Sequence, residues 1–141
     1  MILVDANILV YARSRGMAAH APARSWLDER LNGRARIGMP WPSLLGYVRI
    51  VTNPRILSRP ESIGAAWRQV ESWLDVAVVW IPQPGDRHRE ILATLMPLAT
   101  QPDLVADAHL AAIAIEHGLT LASTDGDFAR FPGLSFRNPL R

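Results

Sequence analysis

Cysteine and lysine are both missing from the 141 residues. Without cysteine there are no disulfides, no thiolate metal sites and no cysteine nucleophile. Without lysine, all 15 basic residues are arginine, which stays ionised and grips phosphate through two parallel donors. That usage is compatible with nucleic acid, and a compositional bias of the genome produces it equally well. Long apolar runs are missing too. None approaches the roughly 18 residues needed to cross a bilayer, and Ile2-Leu3-Val4 reaches Asp5 with no basic leader before it. The expectation is a soluble, cytoplasmic protein with no membrane partner.

What is present is apolar mass, 49% of the residues, enough to fill one sizeable core in a chain of this length. One domain over residues 1–141 is expected, without repeat, low-complexity tract or linker, and with Pro82 to Gly85 as its most flexible connection. Ile2 to Val4 reads as a strand buried on both faces, Arg36 to Met39 as a second, and Val76 to Ile81, ended by Pro82, as the clearest interior strand. Leu119 to Ser123 and a weaker Leu134 to Phe136 complete the set. Helices are predicted from about Pro22 to a stop at Gly33, from Trp41 to Thr52-Asn53-Pro54, from Glu61 to Leu74, from an Asp86 cap through Met96, and from Asp103 to His117. Strands alternating with helices imply a three-layer α/β domain, its central parallel sheet of about four to five strands flanked by helices on both faces.

Three acidic stations stand out against this pattern. Asp5 closes the first strand, Asp107 lies inside an apolar helix, and Asp125-Gly126-Asp127 follows another apolar run. Ligands bind beyond the carboxyl ends of parallel strands, so Asp5 and Asp125 point to one place. A helix cap or strand-end turn is the bland alternative for Asp5, and a tight turn for Asp125 and Asp127. Asp107 is harder to dismiss. At about 100° per residue its helix carries His109 and Glu116 on one side and Asp107 roughly opposite, among Leu104, Ala108, Leu110 and Ala111. A buried carboxylate needs a cation, a donor network or a raised pKa.

Asp103, one turn earlier on the same face, reads as an N-cap after Pro102 or as a secondary metal or water contact. Asn7 and Ser123 are short polar neighbours able to orient a carboxylate or a bound water. All-oxygen ligands select Mg²⁺ or Mn²⁺ over zinc, which suits phosphodiester hydrolysis. The four histidines show no zinc spacing and read as surface or structural residues.

Together these residues resemble the PIN-domain family, and specifically the VapC-type ribonuclease toxins of prokaryotic toxin–antitoxin pairs. The resemblance spans nearly the whole chain, through Met1 to Leu9, the Arg49 to Arg55 segment, and the motifs around Asp107 and from Glu116 to Phe128. It implies Asp5 and Asp107 as the principal metal-ligand aspartates, Asp125 as the aspartate of the closing motif, Asp127 as its acidic neighbour and Ser123 as its hydroxyl position. It also implies metal-dependent endonucleolytic RNA cleavage, inhibition of translation, a small cognate antitoxin covering the acidic site, and a homodimer.

One departure stands out: many members carry a glutamate where Gly46 aligns here. A catalytically impaired PIN domain that binds RNA or antitoxin without cutting is the alternative it motivates, and Asp103 is a candidate to compensate. A phospho-accepting receiver-like domain is a weaker rival, since such domains use a lysine that this chain lacks. Arg13, Arg15, Arg49 and Arg130 lie nearest the acid motifs in sequence as phosphate candidates, with Arg49 also a possible partner for an acid of the site. The Glu61 to Leu74 segment is an alternative groove for a dimer partner or antitoxin.

Overall fold

The computed structural model describes all 141 residues. In chain order the elements are β1 (Ile2–Val4), α1 (Ala6–Arg13), α2 (His20–Leu31), β2 (Ile37–Gly38), α3 (Trp41–Val51), α4 (Ile63–Leu74), β3 (Val79–Trp80), α5 (His88–Leu95), α6 (Leu104–His117), β4 (Thr120–Ala122) and β5 (Ser135–Arg137). The five strands form one sheet in the order β3-β2-β1-β4-β5, and every pairing is parallel. The chain steps outward from β1 to β3, then returns to the other side of β1 with β4. Order reverses between β1 and β4, where open α/β sheets place their ligands.

Successive side chains of a strand point to opposite faces, and β1 divides the core accordingly. Val4 packs with Ile8, Leu9, Leu27, Leu44, Tyr47 and the rest of the α1 to α4 side. Leu3 joins the other cluster, with Ile91, Leu95, Ile113, Leu121 and Phe128. The three layers expected from the sequence are therefore present, with five strands.

Several boundaries differ from expectation. Helix α1 was not foreseen. Its contiguous Ile8-Leu9-Val10, all buried, has no helical stripe to read because the helix is enclosed on most sides. The chain from Val76 to Ile81 is an edge rather than an interior strand and is ordered as strand only at Val79–Trp80. Val76 to Val78 belong to the turn leaving α4, closed by the Val79 N–H donating to the Val76 carbonyl at 3.0 Å. Asp86 does not cap α5. Glu116 takes that place from across the molecule, accepting from the Gly85 and Arg87 N–H groups at 2.8 and 2.9 Å, and these bonds hold its carboxylate below the usual range. His117 Nε2 meets the Gln83 carbonyl at 2.6 Å, so the connection expected to be most flexible is strapped to α6.

The other histidines are also structural. His20 bonds the Tyr11 carbonyl at 2.8 Å, and His88 Nε2 meets His109 Nδ1 at 3.0 Å where α5 packs on α6. Helix α6 ends on Gly118, whose φ of 67° lies in the left-handed region that a glycine cap occupies without strain. No helix is long and apolar enough to cross a membrane.

Candidate active site

The site is assembled from the ends of β1 and β4 and the start of α6. Asp5 follows β1 directly, and its backbone N–H donates to the Ala122 carbonyl of β4 at 3.0 Å, which fixes the two strand ends side by side. Its side chain is committed at both oxygens: Oδ1 accepts from the Ala6 N–H at 2.7 Å as the N-cap of α1, and Oδ2 accepts from Ser123 Oγ at 2.7 Å. The cap role and the site role thus coincide in one residue.

Ser123 is fully buried and uses its hydroxyl completely. It donates to Asp5 and accepts from Asn7 Nδ2 at 3.1 Å and from the Asp125 N–H at 3.0 Å. Four residues from the two strand ends are joined through one oxygen. Asn7 keeps its Oδ1 buried without a partner.

Beside this network three carboxylates converge against their mutual repulsion. Asp107, Asp125 and Asp127 each present an oxygen within 4.8 Å of the others. Asp125 caps the short turn Gly126–Arg130, accepting from the Asp127 N–H at 2.9 Å. Asp127 is joined to Arg130 at 3.3 Å, and Arg130 also reaches the Asp127 carbonyl and Thr100 Oγ1. Arg130, i+3 from Asp127, is thus the arginine that engages the acids. Arg49 is exposed and makes no ion pair.

Asp107 is half-buried rather than enclosed, because the first turn of α6 buries Leu104 but opens to solvent at Val105 and Ala106, and continuous enclosure comes only further along the helix. Even so, desolvation and the fields of Asp125, Asp5, Asp127 and Asp103 push its pKa up to about 6. Burial also raises that of Asp5, against the lowering effect of the Ser123 and Ala6 hydrogen bonds. Asp103 occupies the N-cap position of α6, yet its backbone is already helical and its side chain makes no capping bond. It remains an exposed acid on the rim.

Of the residues singled out in the sequence, Asp5, Asn7, Ser123 and Asp125 form one bonded network; Asp107 and Asp127 close around Asp125, and Asp103 adds its field from outside. Gly46 is buried in α3, and a Cβ built on it would stand 3.0 Å from the Ala6 Cβ. The position aligned with the family's glutamate therefore abuts the residue next to Asp5, and a side chain there requires Ala6 to give way by a few tenths of an ångström.

The PIN domain model matches residues 2–134. Ribonuclease VapC37 of Mycobacterium tuberculosis is 41% identical over 140 residues, covering 99% of this chain and 97% of its own. Ribonuclease VapC33 of the same species is 39% identical over 142 residues, with 100% and 99% covered. Among solved structures, VapBC2 from Rickettsia felis bound to a DNA fragment from their promoter superposes with a TM-score of 0.69 at 20% identity, covering 98% of both chains. FitAcB from Neisseria gonorrhoeae gives 0.67 at 20% identity, covering 99% and 98%. The chain belongs to the PIN-domain family, among its VapC ribonucleases.

Proposed function

We propose that this chain is a divalent-metal-dependent endoribonuclease and the toxin of a toxin–antitoxin pair. The observation that carries the reading is the convergence of Asp107, Asp125 and Asp127 within 4.8 Å beside a prearranged Asp5. Oxygen donors without a nearby lysine suit Mg²⁺ or Mn²⁺. The fit is supported by the raised pKa of Asp107, a sign of negative charge with too little compensation, and by the spare Asn7 Oδ1.

Asp5, Asp107 and Asp125 would hold the ion, with Asp127 acting from the more exposed rim. When bound there, such an ion would supply Lewis-acid polarisation of the scissile phosphate and would lower the pKa of the attacking water. Ser123 holds Asp5 in its rotamer and fixes the Asp125 backbone. Asn7 positions Ser123 and offers its carbonyl oxygen to a bound water. Arg130 offsets part of the charge of Asp127 through their 3.3 Å pair.

Relatives named as VapC ribonucleases at 39–41% identity support RNA as substrate. An antitoxin partner and a homodimer follow the same family pattern. An apolar strip on α3 and α4, where Trp41 stacks on Trp67 at 6.3 Å beside exposed Leu45 and Ile63, favours a protein partner there. Gly46 favours a second reading, a PIN domain that binds without cutting.

The test is to incubate the antitoxin-free protein with total RNA in Mg²⁺, Mn²⁺ or EDTA, alongside Asp107→Asn. Discrete fragments that need the metal and vanish in the variant support cleavage. Binding without fragments at any metal concentration leaves the non-cutting reading in its place.

A further inference from the structure

A second charged feature lies beyond the acids. The end of α1, the start of α2 and residues 56–61 enclose a cleft of about 710 Å³. Arg13, Arg15, Arg24 and Arg59 line it, with Glu61 as its single acid. Arg13 and Arg15 are close to Asp5 in sequence; Arg24 and Arg59 come from distant segments, so only the fold reveals the set. All four are exposed.

Four guanidinium groups face one carboxylate, so the cleft keeps a net positive charge. Glu61 accepts from the buried Tyr47 hydroxyl at 3.1 Å and remains an anion at the cleft's edge, with Arg13 beside the same hydroxyl. Arg13, Arg15 and Arg59 make no ion pair, and Arg24 has only an exposed 3.7 Å contact with Asp28, a kind of pair worth little. Ile56, 52% exposed, adds an apolar surface among the guanidinium groups. Such a cleft matches a polyanion, and its place one short helix from the acid site favours a single-stranded RNA over an acidic peptide.

Its position fits the acid site. Asp5 caps the first turn of α1 and Arg13 ends the same helix, about 12 Å further along its axis at 1.5 Å per residue. That is about three to four phosphates of a stacked strand. An acid cluster repels the substrate it must cut, and arginines one short helix away offset that repulsion.

We propose that this arginine-lined cleft binds the RNA strand flanking the cleavage point, through its phosphates. The proposal rests on the nuclease reading for its purpose but is measured apart from it. A smaller hollow of about 350 Å³ at the opposite, amino-terminal end of the strands is lined by Met1, Arg30, Arg34 and Arg36, and it provides the control.

Binding of a fluorescent single-stranded RNA is measured in EDTA over a range of salt for wild type, Arg15→Ala/Arg59→Ala and Arg34→Ala/Arg36→Ala. The two double variants remove equal charge. The cleft variant is expected to bind tenfold or more weakly, with a salt slope shallower by about 1.4, the value for two lost single-strand phosphate contacts. The control is expected to stay within twofold of wild type. Equal losses in both variants overturn the proposal, because net charge alone then explains them. A cleft variant that binds RNA like wild type but no longer binds poly-glutamate also overturns it and assigns the cleft to an acidic peptide. A wild-type protein that binds through the cleft yet yields no fragments in Mg²⁺ sinks the nuclease reading and leaves the cleft in place.

Discussion

The two walls of the acid site are built on opposite principles. On the Asp5 wall the polar contacts are made save one: both Asp5 oxygens are occupied and the buried Ser123 hydroxyl has three partners, with only the Asn7 Oδ1 left over. On the Asp107 wall three carboxylates crowd together, and only Asp127 has a cationic neighbour. One wall is rigid without a ligand; the other is held in an arrangement that its own charges oppose. A cation is what would make the second wall as settled as the first, so binding and folding stability are coupled at Asp107.

Breaking the repulsive wall should have the largest effect on activity. Asp107→Asn is expected to lower cleavage at least about 100-fold, the scale for losing one preorganised electrostatic group, while raising the melting temperature of the metal-free protein. A variant that cuts RNA at the wild-type rate would remove Asp107 from the site.

Ser123→Ala attacks the settled wall and should do the reverse, costing about 1–3 kcal/mol of stability by leaving buried partners unsatisfied. Urea denaturation measures it, and a loss no larger than that of an exposed serine would mean that the network does not hold the wall.

The pH dependence separates the walls again. Asp107 has a folded pKa of about 6 against an ordinary 3.8, so the folded state binds this proton more tightly than the unfolded one. Its contribution is fully present below pH 3.8 and is lost as pH rises through about 6. Metal-free protein should therefore lose this stability between acid and neutral pH. Saturating Mg²⁺ at pH 7.5 should restore it, and Asp107→Asn should flatten the profile. Thermal melts at pH 5 and 7.5, with and without the ion, show whether this holds. Arg130→Ala should matter least, below about 1 kcal/mol, because its pair with Asp127 is exposed.

The same contrast explains what the sequence could reveal. Asp5, Asp107 and Asp125 were legible because acids at strand ends or in an apolar helix conflict with their surroundings, and conflict is visible without coordinates. The parallel sheet was legible from alternating elements. Helix α1 was not, because an enclosed helix has no polar face to set its period. Val76 to Ile81 reads as interior because its apolar run is unbroken, yet its first residues go to a turn and the rest to a sheet edge. The Glu116 clasp on Gly85 and Arg87 joins residues about thirty apart by contacts that no local pattern encodes. The arginine cleft likewise needs the fold to bring Arg24 and Arg59 beside Arg13.

The hydrogen bond between Asp5 and Ser123 spans 118 positions of the chain. The central strand β1 precedes every other strand of the sheet in the chain, and β4, which completes the candidate site beside it, follows all of them but β5. Until residue 107 is added, a nascent chain holds Asp5 and none of the acids that face it. For a protein whose proposed activity endangers the cell that makes it, the order of the strands acts as a delay: the candidate site is incomplete until β4 and the turn after it have emerged.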